Sequence, residues 1–370
     1  MTTGASRVFG LDLMRATAIL VVVFWHCADV LADLVPGFWF PTFFDGVDLF
    51  FVLSGYLIGG ILLKYAAMED VPLWRRMSDF WQRRWLRTLP NYYLFLVLNI
   101  LLVYWGVAGG KLNHNTWGYA FFLQSVWKPL SLFFWESWSL AVEEWFYVLF
   151  PVALFGLLRL ARTRSPYVFL WVVLAFLVAP LLVRLEMVDY IRSKVEMESS
   201  LRSLVIARMD TIAFGLLAAW LHHHRAVLWR RSRQFLFLVG AALLFISNAA
   251  YGQDTLYYST TWYFSLSALS MAMLLPLLSS WVAVPRFGAP VVFVSRVSYA
   301  LYLVHQPLRA YWNRLLVGQE GADGLALYFG YWAVSFVLAW LVYRFWEKRF
   351  MDMRDRIGKR ILGGALTASS

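Results

Sequence analysis

The sequence predicts an all-α, polytopic integral membrane protein of about ten transmembrane helices, and three observations carry that prediction. Hydrophobic residues make up 61% of the 370 and charged residues only 15%, where a soluble domain carries roughly a quarter charged residues. So much apolar surface calls for lipid as its solvent, and the mean hydropathy of +0.60 agrees. Apolar runs of about 20 residues, long enough to cross a bilayer, recur along the whole chain. Basic residues gather in alternate loops between those runs.

The ten runs lie near 11–31, 45–64, 89–107, 139–160, 166–184, 204–221, 234–251, 261–282, 296–314 and 325–346. Inside lipid each must satisfy its own backbone, which selects helix. The first carries Arg15 and His26 and lacks a small-residue cleavage site, so it reads as a membrane span rather than a cleaved signal peptide. The stretch 117–137 is aromatic and apolar but broken by Lys128-Pro129, and is expected to be interfacial or re-entrant. No linker, low-complexity segment or internal repeat interrupts the pattern. Residues 1–350 therefore read as one membrane domain, and 351–370 as a short basic tail.

Charge fixes the expected orientation. Arg75, Arg76, Arg83, Arg84 and Arg87 follow the second run, and Arg159, Arg162 and Arg164 the fourth. Arg225, Arg230, Arg231 and Arg233 follow the sixth, and the segment from Arg344 to Arg360 follows the tenth. All fall on one face, which the positive-inside rule makes cytoplasmic, together with both termini. The formal charge of +11 is thus an orientation signal of an inner-membrane protein, not a nucleic-acid footprint. The 20 Trp suit interfacial belts. One cysteine, Cys27, excludes an intramolecular disulfide and a cysteine metal cluster. No metal is expected, the His222-His223-His224 run reading as a solvated helix end.

Ionisable groups inside a bilayer are costly and mark paired or functional positions. Arg15 and His26 are eleven residues apart, so on a helix they share a face to within about 20° and sit roughly 16 Å apart. Two readings stand: Arg15 snorkels to the headgroups and His26 is a packed core histidine, or both serve one functional stripe. The fourth run opens with Glu143-Glu144, which cannot point the same way. One can meet His26, fixing its tautomer, or both face headgroups. Arg208 and Asp210 suggest an intramembrane charge pair, and Ser298, Tyr302 and His305 form a polar stripe at i, i+4 and i+7. Arg84 and Arg87 form a basic clamp suited to phosphate oxygens or, equally, to anionic lipid.

These residues belong to segments that resemble the motifs of the acyltransferase 3 family. The segments are Asp12/Arg15 with His26, Gly46-Val47-Asp48-Leu49-Phe50-Phe51-Val52-Leu53-Ser54-Gly55-Tyr56-Leu57, Arg84-x-x-Arg87, Trp138-Ser139-Leu140-Ala141-Val142-Glu143-Glu144-Trp145-Phe146-Tyr147, and Ser298-Tyr299-Ala300-Leu301-Tyr302-Leu303-Val304-His305-Gln306-Pro307. Arg208-Met209-Asp210 sits where the family has a similar pair. The resemblance spans nearly the whole chain. Trp145, where relatives often have glutamine, and Glu347-Lys348-Arg349, without the usual following proline, depart from it in detail.

The resemblance implies a ten-span enzyme that moves a small acyl group, usually acetyl, from cytoplasmic acyl-coenzyme A (acetyl-CoA) to a carbohydrate hydroxyl of an envelope or exported glycan. It implies that His26 is the essential histidine, Arg15 its partner, and Arg84 and Arg87 the arginines that handle the donor. The expected mechanism has His26 as general base, oriented by Glu143 or Glu144, with Arg208 or Tyr302 as oxyanion donors and an acyl relay on His26 or Ser54 left open. Since the chain stops soon after the tenth run, it is expected to act alone or with a separate periplasmic acyl-transfer partner. Asp12, Asp48 and Asp210 are expected to be substrate or structural polar groups. Two rival readings are a transporter with a polar path at the midplane and an acyltransferase for a small secondary metabolite.

Overall fold

The computed structural model describes residues 7–35, 44–68, 70–127, 132–163, 165–253, 256–316 and 321–361. Every regular element among them is helical. Ten helices of sixteen residues or more coincide with the ten predicted runs. They are α1 (Phe9–Trp25), α2 (Gly46–Ala67), α3 (Leu73–Tyr104), α4 (Ser137–Leu160), α5 (Pro166–Met187), α6 (Met209–His224), α7 (Arg233–Gly252), α8 (Tyr263–Leu278), α9 (Ala289–Leu316) and α10 (Gly321–Val342). A further helix, α11 (Lys348–Ile361), continues from α10 through a π-helical turn at Tyr343–Glu347. By length and composition six helices can cross a membrane, or seven when α1 and the short helix Ala28–Leu34, bent by 55°, count as one span. The chain is a multi-pass membrane protein.

Local chemistry sets several helix starts. Asp45 caps α2, its carboxylate accepting from the Val47 N–H at 2.8 Å. Ser165 caps α5, with Pro166 at the first helical position. Helix α3 begins sixteen residues before the predicted run, because its first half alternates Trp with Arg and is amphipathic, whereas a hydropathy scan finds only the uniformly apolar half. It runs through Pro90, whose carbonyl accepts from Trp346 Nε1 at 3.2 Å. The sixth helix starts later than predicted, at Met209, after a 3₁₀ turn over Val205–Ala207.

Among the described residues of 117–137, none belongs to a spanning helix before α4 begins at Ser137. A 3₁₀ turn over Thr116–Phe121, with Tyr119 buried, is followed by irregular chain in which Phe122, Phe133 and Phe134 are buried. Trp145 Nε1 donates to the Phe122 carbonyl and Val205 N–H to that of Ser125, satisfying backbone far from water. The Lys128-Pro129 break lies outside the described residues.

Helix α2 is the hub, packed most closely on α6. A Cβ built on Gly55 would lie 2.0 Å from the Ile212 carbonyl oxygen, and one on Gly215 2.1 Å from that of Val52. Small residues on both helices thus let the backbones touch, the usual membrane solution. Helices α1 and α9 lie side by side in the same direction. Arg15 approaches Ser295 at 3.4 Å at one end, and His26 meets His305 at the other. The basic tail is not a free extension: α11 packs on α3, with Gln82 Nε2 donating to the Arg354 carbonyl at 3.1 Å. Residues 362–370 lie outside the described part.

Candidate active site

Two cavities lie among the helices and have one lining residue, Val47, in common. The first, about 790 Å³, runs along α2 from Leu57 to Val47 and is walled by α1, α3, α4 and α9. Arg15, Arg84 and Arg87 converge on it from α1 and α3. Asp12 steers Arg15, lying 3.7 Å from its Nη1 while also bound by Arg7 and by Ser295 Oγ at 2.7 Å. The guanidinium of Arg84 lies 6.0 Å from the Tyr147 ring centroid, and its Nε is buried with no hydrogen-bond partner among the described residues. One carboxylate, Glu143, faces the three cations in the lining, so the cavity wall is net positive. Ser54 and Tyr147, whose oxygens are 2.7 Å apart, contact that carboxylate.

The polar stripe of α9 ascends this cavity as its i, i+4, i+7 spacing predicts. Ser298 and Tyr302 line it, and His305 lies beyond, fully buried. Tyr302 donates to the Glu136 carbonyl at 2.8 Å and lies 2.7 Å from Ser139 Oγ. Its ring centroid is 5.8 Å from that of His305.

The second cavity, about 990 Å³, opens at the far end of α1. His26, Trp25, Asp45, Arg202, Asn248, Tyr251, Tyr263 and Phe264 line it, and Val47 lines both cavities. Arg202 pairs with Asp45 and, at 2.8 Å, with Glu198, which also accepts from the Tyr251 hydroxyl. His26 is not inside a continuous helix as expected. It caps α1 at the bend, its N–H still bonded to the Val22 carbonyl at 3.1 Å while Cys27 N–H turns back to Phe24. The Arg15-to-His26 register survives because the break comes just after it.

The expected pairing of a glutamate with His26 is not what forms. Glu144 accepts from Thr88 Oγ1 at 2.5 Å, Glu143 faces the arginine cavity, and neither hydrogen-bonds to His26. The partner of His26 is His305, with Nδ1 and Nε2 2.8 Å apart. The reason is geometric: α9, not α4, lies along α1 at this level.

Arg208 and Asp210 do not pair with each other either. Two residues apart around a helix start, they point to opposite sides. Arg208 binds Asp48 of α2, and Asp210 takes a bidentate grip from Arg184 of α5, at 3.0 and 2.8 Å, all four side chains being fully buried. Arg184 also reaches the Ala207 and Thr261 carbonyls and Ser265 Oγ. It had no signal in the sequence beyond being a basic residue in a mixed-charge segment, and the same holds for Arg202. Arg208 and Asp48 line neither cavity, and Arg208 sits 3.7 Å from the Phe264 ring centroid. His222, His223 and His224 are all exposed, and His222 also bonds the Tyr56 hydroxyl at 2.6 Å and stacks on Trp229.

Comparison with known proteins gives this arrangement a family. No solved structure matches the chain. A provisionally named O-acetyltransferase of Staphylococcus aureus strain COL is 27% identical over 370 residues, covering 92% of this chain and 57% of the relative. The O-acetyltransferase OatA of Staphylococcus aureus strain NCTC 8325 is 25% identical over 363 residues, covering 91% and 56%. The chain spans a little over half the length of these curated relatives. A family model described as an acyltransferase domain matches residues 8–344, and the chain accordingly belongs to the acyltransferase 3 family.

Proposed function

We propose that this protein is an O-acetyltransferase of the inner membrane that moves an acetyl group from cytoplasmic acetyl-coenzyme A to a hydroxyl of an envelope or exported glycan. One observation carries the reading. A net-positive, elongated cavity leads from three arginines toward a histidine that faces a second, amphipathic cavity, and the two cavities share Val47. In this reading Arg15, Arg84 and Arg87 hold the donor phosphates, for which the guanidinium fork is suited. The pantetheine arm extends along α2 and brings the thioester toward Val47 and Tyr302. The acceptor hydroxyl enters the cavity of Trp25, Tyr251 and Tyr263, whose mixture of aromatic and polar groups suits a sugar ring.

The chemistry is a single exchange. His26 Nε2 takes the hydroxyl proton as the oxygen attacks the thioester carbonyl. The C–S bond then breaks, and the proton passes to the departing sulfur to give the free thiol. Glu143, with Ser54 and Tyr147, serves the donor side rather than the base. Ten spans with both termini cytoplasmic belong to this reading, because they put the arginine cavity on the side where coenzyme A is made. The names of the relatives support acetyl as the group moved.

The test is thiol release from acetyl-coenzyme A by membranes given envelope polysaccharide. His26→Ala is expected to lower the rate by ~10²–10⁴-fold, the range of a lost general base, with the protein still present and folded. Release that is indifferent to His26 would refute the role given to it. Absence of release by the wild type with any acyl donor and acceptor would refute the reading itself.

A further inference from the structure

The His26–His305 pair has a direction that its hydrogen bonds dictate. His305 Nδ1 lies 3.2 Å from the carbonyl oxygen of Leu301 in the preceding turn of α9. A carbonyl only accepts, so His305 Nδ1 carries a proton. His305 is fully buried, and no carboxylate pairs with it among the described residues, so a neutral ring with one N–H is the form its surroundings support. Its Nε2 is then a bare lone pair. That lone pair is 2.8 Å from His26 Nδ1, which must therefore be the protonated nitrogen of His26. What remains is the lone pair on His26 Nε2.

Ring geometry agrees with this chain. The two imidazole planes differ by 13° and their centroids are 5.0 Å apart. That separation is about the N···N distance plus two ring radii, so the rings lie edge to edge in nearly one plane rather than face to face. An in-plane lone pair requires that arrangement. The outer end is also fixed: the Tyr331 hydroxyl donates to the His305 carbonyl at 2.9 Å, tying this turn of α9 to α10.

We propose that His305 is a positioning residue that sets the tautomer and ring orientation of His26. It fills, with a neutral acceptor anchored on the Leu301 carbonyl, the place that a carboxylate takes in a serine-hydrolase triad. The inference rests on the catalytic reading of His26 and names the device that leaves its Nε2 as the base. His305 itself neither gains nor loses a proton in the exchange, since the hydroxyl proton goes to His26 Nε2 and from there to sulfur. The carboxylates that share its cavity, Asp45 and Glu198, are engaged by Arg202, and none hydrogen-bonds to His26 among the described residues, so its ring is free to start the reaction neutral, as a general base must. A carboxylate there would favour the charged, already protonated ring.

The proposal is tested on the full chain in lipid nanodiscs by the imidazole ¹⁵N resonances of His26, assigned by their loss in His26→Ala. The wild type is expected to show a protonated Nδ1 and a bare Nε2. A His26 protonated at Nε2, or on both nitrogens at neutral pH, would overturn the proposal whether or not any variant folds. In His305→Gln the side-chain oxygen falls where Nε2 was and still accepts. This variant should keep the tautomer and retain activity within about tenfold. His305→Leu should give mixed tautomers and a kcat lower by ~10²-fold, with KM for acetyl-coenzyme A unchanged. Equal activity of the Leu variant and the wild type would overturn the proposal, as would equal losses in the Gln and Leu variants. If no membrane releases thiol, the enzymatic reading fails, while the wild-type spectrum still decides the tautomer.

Discussion

Single side chains in this protein act through the company that the fold gives them. Arg84 and Arg87 share a helix face at i, i+3, and the fold aims that face at a cavity where Arg15 already stands. If they grip the donor phosphates, Arg84→Ala and Arg87→Ala should each raise KM for acetyl-coenzyme A by about tenfold, the worth of roughly one charged hydrogen bond, with a smaller change in kcat. Steady-state kinetics with varied donor checks this. Lysine at either position should restore the charge but only part of the affinity, because the two-pronged contact is lost. A KM that moves only for the acceptor would show that the arginines serve the other substrate. Asp12 acts at one remove, since it holds Arg15 in place between Arg7 and Ser295.

At the scale of helices, two features hold the site in register. The α2–α6 contact depends on the missing side chains of Gly55 and Gly215. A methyl group at either would drive a Cβ into backbone carbonyl oxygen, which cannot move aside as a side-chain tip can. Gly55→Ala and Gly215→Ala are therefore each expected to destabilise by about 1–3 kcal/mol, the usual range for overpacking, and to lower the unfolding temperature in detergent. Gly60, with nothing near its added Cβ, is the control, and Gly60→Ala should leave that temperature unchanged. The second feature is the buried cross-linking of α2 to α6 by Asp48–Arg208 and of α5 to α6 by Arg184–Asp210. Because Ser54 and Val47 ride on α2, these contacts place one wall of the arginine cavity.

Over the whole molecule, the distribution of charge and the stacking of the two cavities make one claim about direction. The arginine cavity should face the cytoplasm and the His26 cavity the opposite side. Single cysteines test this in a Cys27→Ser background, with Ala226→Cys between α6 and α7 and Val195→Cys between α5 and α6, both at exposed positions. A membrane-impermeant maleimide is expected to label the second in intact spheroplasts and the first only after lysis. The reverse pattern would invert the molecule and remove the argument for a cytoplasmic donor.

How much of this was legible beforehand depends on what kind of signal each feature leaves. Ten apolar runs gave ten helices, because burial of apolar side chains and internal satisfaction of the backbone act within one segment, and so are written in that segment. The stripes Arg15 to His26 on α1 and Ser298 to His305 on α9 were readable for the same reason, periodicity being local. The amphipathic half of α3 was not, since its mixture of Trp and Arg averages to no hydropathy signal. Partners were another matter. The choice of His305 over Glu143 for His26, of Asp48 over Asp210 for Arg208, and of Arg184 for Asp210 depends on which helices lie side by side at a given depth. That is settled by packing between segments far apart in the chain, with Gly55 against Gly215 and α1 along α9. The sequence by itself determined the class, the helices and the polar faces; only the tertiary structure decided which face meets which, because a buried charge or lone pair must be satisfied by whatever neighbour the packing brings within reach.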